Sequence, residues 1–143
     1  MEERLAELEQ AFADYRQELA KCESERKPID GLFGLGHAVN DDPCHARFDE
    51  RIAQVVEAIR TAEPSETETA EALEILLARE DMQTWPSSAQ WMLRAVERHA
   101  LPLIPFLSPE RADAFARKYA ARYKPWDRFP AQKQVLLALK QKA

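Results

Sequence analysis

This chain of 143 residues has only three glycines and two cysteines, and it lacks any long apolar run. Each shortage excludes something. The longest apolar stretch, LPLIPFL at 101–107, has seven residues and two prolines, whereas a bilayer span needs about 20. Two cysteines are too few for the disulfide framework of a small secreted domain. No segment alternates apolar and polar β-branched residues as a half-buried strand would. The first ten residues, MEERLAELEQ, are acidic and amphipathic, without the basic start and apolar core of a signal peptide. The expected compartment is the cytoplasm, where Cys22 and Cys44 read as reduced thiols; a bridge between them is the alternative.

What is present is charged and helix-forming. Ala, Leu, Glu, Arg, Lys and Gln dominate, all strong helix formers, and 45% apolar residues with 31% charged ones suit a folded protein rather than a disordered one. The net charge of −5 conceals a polarity. Residues 1–110 hold 11 Lys/Arg against 23 Asp/Glu, a net −12, while residues 111–143 hold 9 Lys/Arg against Asp113 and Asp127, a net +7. Such a division can steer a partner or hold one part of the chain against another.

The periodicity predicts one helical domain over residues 1–143, all-α with about six helices. A first helix occupies residues 1–27, with Leu5, Leu8, Phe12, Tyr15, Leu19 and Cys22 forming a heptad seam. That seam packs either along another helix of the chain or, through Leu5, Leu8, Phe12, Tyr15 and Leu19, against a second copy. A glycine-containing loop spans 28–42. Helical hairpins then fill 43–143. Asp42 and Pro43 form a start, as N-cap and first helical residue, and Phe48, Ile52, Val55, Val56 and Ile59 form the inner face. Ser65 and Glu68 fit a capping box, and Ser108 with Pro109 repeats the cap-then-proline start. Expected starts near 43, 65, 87, 109 and 130 are almost evenly spaced. That spacing alone resembles HEAT-type and armadillo repeats, so a stack of hairpins and an irregular bundle are both open. Phe48, Ile52, Val56, Leu73, Leu77, Val96, Phe115, Tyr119 and Leu136 are expected in the core, with one of Trp85 and Trp91 inside and the other partly exposed.

Chemistry-bearing residues concentrate between 22 and 45. GLFGLG at 31–36 is no phosphate loop, because Gly-Lys-Ser/Thr is missing, and so is a strand before it with a helix after it. Its glycines suit tight backbone geometry, and Leu32, Phe33 and Leu35 are expected to plug the end of the first two helices. His37, Asp41, Cys44 and His45, with Cys22, are zinc-type donors, but their spacing matches no zinc signature. Capping by Asp42, whose carboxylate would accept a backbone N–H from Cys44 or His45, is the simpler account. Cys44, near unpaired N–H groups at a helix start, is expected to have a lowered pKa; a catalytic pair with His45 is disfavoured because helical neighbours do not face each other. His99 is expected to cap carbonyls at a helix end.

The basic residues Arg111, Arg117, Lys118, Arg122, Lys124, Arg128 and Lys133 alternate with Phe115, Tyr119, Tyr123, Trp126 and Phe129. Such a mixture can bind single-stranded nucleic acid, yet Phe115, Tyr119 and Tyr123 recur every four residues, as the core side of a helix does. No nucleophile, carboxylate pair or cofactor loop stands in a recognisable setting. The expectation is therefore a non-catalytic cytoplasmic module that binds a protein partner, with no cofactor and no membrane. The alternatives are a small metal- or thiol-dependent enzyme centred on residues 37–45, with zinc as the metal, and a nucleic-acid accessory protein using the basic C-terminal third.

Overall fold

The structure, a computed structural model, describes residues 1–24, 27–28, 37–38, 42–77, 84–122 and 130–143, without the side chains of 23–24, 27–28, 37–38 and 42. Six α-helices make up these residues: α1 (Glu2–Ser24), α2 (Asp42–Thr61), α3 (Glu66–Leu77), α4 (Ser87–Ala95), α5 (Pro109–Arg122) and α6 (Pro130–Lys142). Two short 3-10 turns, Val96–Ala100 and Ile104–Phe106, separate α4 from α5. Among the described residues, extended pairing amounts to one antiparallel contact between β1 (Lys27–Pro28) and β2 (His37–Ala38). The fold is an all-α bundle.

The helix starts follow their local chemistry. Ser65 Oγ accepts the Glu68 backbone N–H at 3.1 Å while Glu68 Oε1 accepts the Ser65 N–H at 2.9 Å, the reciprocal box expected for α3. Ser108 Oγ accepts the Arg111 N–H at 3.3 Å ahead of α5. Between α2 and α3 the chain passes through Glu63, whose φ of 50° is left-handed, immediately before Pro64. The Asp42 cap, by contrast, falls on a side chain outside the described residues, as do Leu32, Phe33, Leu35 and the three glycines.

α1 runs antiparallel to α2. Cys22 faces Cys44, Glu18 pairs with Arg47 and Asp14 with Arg51, so the register advances about one turn on each helix. α3 and α5 instead run parallel, with Glu66 against Arg111, Glu74 against Lys118, and the Leu77 carbonyl accepting from Arg122. The buried apolar residues of all six helices form one cluster. Each large side chain within it contributes about 1.5–3 kcal/mol. Leu8, Phe12, Tyr15 and Leu19 lie inside that cluster, with Leu5 half-buried at its edge. From Leu8 to Leu19 the seam is consequently filled by α2 and α3 of the same chain.

The even helix spacing does not produce a linear stack of hairpins. α1 pairs with α2 and α5 with α6, while the Val96–Ala100 turn packs against α2, α3, α4 and α6. The fourth helix tightens into this turn after Ala95, and Pro102 and Pro105 follow it. Leu136 is also corrected. The inward stripe of α6 is Gln132, Val135 and Leu139, which leaves Leu136 half-buried beside it. Eight of the nine expected core residues are buried, and the two tryptophans divide as expected, Trp85 at 4% exposure and Trp91 at 47%.

Candidate functional site

Cys22, Cys44 and His45 lie where the C-terminal part of α1 runs beside the first turns of α2. The amphipathic seam of α1 places Tyr15, Leu19 and Cys22 along one face, and the antiparallel register delivers Phe48, His45 and Cys44 opposite them. Tyr15 stacks on Phe48 with ring centroids 4.0 Å apart and planes 3° from parallel, while Phe12 meets Phe48 edge-on at 5.2 Å. Trp85 tilts against Tyr15 at 5.9 Å, and the Arg16 guanidinium sits 4.9 Å from the Trp85 ring centroid, a cation–π distance. This aromatic packing holds the polar atoms at the end of the helix pair in position.

Those atoms divide into two separate pairs. The Tyr15 hydroxyl and His45 Nδ1 share a hydrogen bond of 2.5 Å, with His45 buried and its ring edge-on to Trp91 at 5.3 Å. Cys22 Sγ and Cys44 Sγ approach to 3.0 Å. Cys44 is buried and Cys22 half-buried, both as free thiols. Arg47 bridges outward from this point, with Nη2 at 3.0 Å from Glu18 and 3.5 Å from Cys44 Sγ.

Burial pushes the Cys44 thiol up to about 12, and the adjacent Cys22 sulfur and the Glu18 charge add to the effect against the opposing pull of Arg47. The expectation of a lowered pKa at a helix start is thereby corrected: desolvation outweighs the N-terminal field when the sulfur faces another sulfur and an apolar wall. Cys44 and His45, adjacent in sequence, take different partners, in keeping with their angular separation on the helix.

Of the five candidate zinc ligands, Cys22 and Cys44 come together and His45 turns to Tyr15. His37 is described only as backbone in β2, and Asp41 lies outside the described residues. Among the described residues no group of three or more His, Cys, Asp and Glu side chains could hold a metal ion.

Two polar arrangements were not anticipated. Asp49 on α2 accepts from Arg98 Nη2 at 2.7 Å at both carboxylate oxygens and pairs with His99 Nε2 at 2.9 Å, so His99 crosses to another helix rather than capping carbonyls of its own. In the centre, the Tyr119 hydroxyl donates to Glu97 Oε2, with Glu97 fully buried. A charged residue on the inner side of a short turn has no sequence signature, since the break in periodicity at Pro102 hides which face is inward.

The basic C-terminal third has an inner and an outer side. Phe115 and Tyr119 are buried in the core. On the outer side, Arg111 pairs with Glu66, Arg117 with Asp113 and Lys118 with Glu74. Tyr123, Lys124, Trp126, Arg128 and Phe129 lie outside the described residues. Among the described residues no helix is long and apolar enough to cross a membrane.

A groove between α1 and α3 has a different character. It encloses about 440 Å³, with half-buried Leu5 and Ile75 on its floor and Glu2, Glu9, Glu71 and Glu74 exposed along its sides. No protein-family model, curated protein or solved structure matches the chain.

Proposed function

We propose that this chain is a non-catalytic helical module of the cytoplasm that binds a protein partner, receiving a basic amphipathic helix of that partner in the groove between α1 and α3. One observation carries the reading: an apolar floor of Leu5 and Ile75 lies between the carboxylates of Glu2, Glu9 and Glu71, with Glu74, itself paired with Lys118, beside them. That is the complement of a helix with apolar anchors at i, i+3 or i+4 and flanking Lys or Arg. The carboxylates steer the approach and set orientation, while the floor supplies apolar burial. Cys44 facing Cys22, and His45 facing Tyr15, favour this binding role over an enzyme centred on residues 37–45. The burial of Phe115 and Tyr119 favours it over stacking on nucleic-acid bases.

The probe is a fluorescent 18-residue Leu/Lys amphipathic peptide, titrated by anisotropy. Binding is expected to weaken at least tenfold in the Glu71→Lys, Glu9→Lys double variant and with added salt. A control peptide with Leu replaced by Ser is expected not to bind. Equal binding of both peptides, or no effect of the charge reversal, overturns the reading. α6 itself presents Lys133, Leu137 and Lys140 outward at i, i+4 and i+7, with Leu137 57% exposed. Self-association lost on Leu137→Ser would give the groove to a second copy of the chain instead.

A further inference from the structure

Cys22 and Cys44 are the only cysteines of the chain, and the fold brings them together from the ends of two different helices. Their sulfurs are 3.0 Å apart, about 1 Å beyond the ~2.05 Å of a disulfide bond. The approach is built into the register of α1 on α2. Glu18–Arg47 at 3.0 Å and Asp14–Arg51 at 2.5 Å repeat it along the same pair, and Tyr15 stacked on Phe48 locks the helices from the core side. Aligned helices of this kind leave the two sulfurs about 1 Å of approach from a bond.

We propose that Cys22 and Cys44 are a reversible dithiol–disulfide site, oxidised by a low-molecular-weight disulfide, that clasps the end of α1 to the start of α2. Half-buried Cys22 is the entry sulfur. Its thiolate attacks one sulfur of the oxidant RSSR; that S–S bond breaks, and the departing RS⁻ takes a proton and leaves as RSH. Cys44, as thiolate, then attacks Cys22 Sγ in the mixed disulfide, the Sγ–Sγ bond forms, and a second RSH departs. The two thiols together lose two electrons and two protons, and the oxidant gains both.

The order follows from exposure, since Cys44 is buried and Cys22 reaches solvent. Burial holds the Cys44 thiol high, but part of that elevation comes from the Cys22 sulfur beside it. Capping Cys22 with R removes that share, and Arg47 Nη2 at 3.5 Å offers positive charge to the resolving sulfur. The clasp closes residues 23–43, which include all three glycines, into a covalent loop of 21 residues between the cysteines. A loop of that length restricts the unfolded chain and raises the melting temperature by about 10 °C.

The test equilibrates the full chain in buffers of increasing oxidised-to-reduced glutathione ratio, followed by alkylation, intact mass and a non-reducing peptide map. The expected result is the joint loss of both alkylatable thiols, a chain lighter by two hydrogens, a linked Cys22–Cys44 peptide, and a melting temperature about 10 °C higher that dithiothreitol reverses. Cys44→Ser is expected to stop at a mixed disulfide on Cys22 with no thermal gain, and Cys22→Ser to show no gain either. Two alkylatable thiols or two glutathione adducts in the most oxidising buffer overturn the proposal. So do disulfides only between chains. The mass and map of the wild-type chain decide this even if the Cys44 variant fails to fold.

Discussion

Tyr15 and Tyr119 are both almost entirely buried, and the hydroxyl of each meets a buried side chain, but the two sites are held together differently. Tyr15, on α1, has its ring engaged by Phe48, Trp85 and His45, and its hydroxyl meets an imidazole near the end of the helix pair. Tyr119, on α5, donates to Glu97 on a 3-10 turn that packs against four helices. In the first region stability resides in ring packing and the hydrogen bond is a refinement. In the second the hydrogen bond itself matters more, because it serves a carboxyl group that the fold has removed from water. Residues of one type at equal burial therefore need not contribute alike.

Mutations can break this contrast. The largest expected effect is Phe48→Ala, which removes the ring shared by Phe12 and Tyr15 and should cost about 3–5 kcal/mol in denaturant unfolding. A cost below about 1.5 kcal/mol would mean that ring packing is not what holds the α1/α2 end. Next comes Tyr119→Phe, which takes a donor from buried Glu97 while leaving the ring in place, for about 1.5–3 kcal/mol. Tyr15→Phe makes the same atomic deletion beside an imidazole and should cost about 0.5–1.5 kcal/mol. Equal losses for the two Tyr→Phe variants would erase the distinction between the regions.

The capping box of α3 supplies the solvent-exposed counterpart. Ser65→Ala should cost about 1 kcal/mol, measured by chemical denaturation. Its partner Glu68 tests the pH dependence. The Ser65 backbone N–H, followed by its hydroxyl, holds the Glu68 carboxyl below the usual glutamate range. A carboxylate whose pKa is lower when folded contributes fully above its unfolded pKa, and the contribution fades as pH falls through the folded value. Acid titration of stability should thus show a loss below the ordinary glutamate range. Glu68→Gln, which can cap in the same way, should keep neutral-pH stability nearly unchanged and flatten that acid limb. An unaltered acid limb would assign it to other carboxylates, such as Glu66, which Ser108 and Arg111 hold low.

Much of the helix architecture is legible residue by residue. Ser65 with Glu68, Ser108 with Pro109, and Pro130 announce helix starts because capping depends on groups within one turn of each other. Phe48, Ile52 and Val56 announce the inner face of α2 by spacing alone. Leu136 shows where such reading slips. With polar Gln132 on the inward stripe, a neighbouring pair of leucines offers two possible faces, and packing against α5 and the Val96–Ala100 turn selects Val135 and Leu139. At the candidate site, Cys22 and Cys44 were recognisable as reactive types, but their 3.0 Å approach follows from α1 lying antiparallel on α2.

The local sequence determined the six helices, most of their inner faces, the caps of α3 and α5, and the division of charge between residues 1–110 and 111–143. These depend on interactions within a few residues or on composition, so they survive without knowledge of the fold. Tertiary structure alone decided that the α1 seam is filled by α2 and α3, that evenly spaced helices form an irregular bundle, that Glu97 is enclosed beside Tyr119, and that Cys44 faces sulfur while His45 faces a phenol. Each of these outcomes joins residues 22 or more positions apart, where helix register, crossing geometry and the cost of burying polar atoms, rather than local propensity, select the partner.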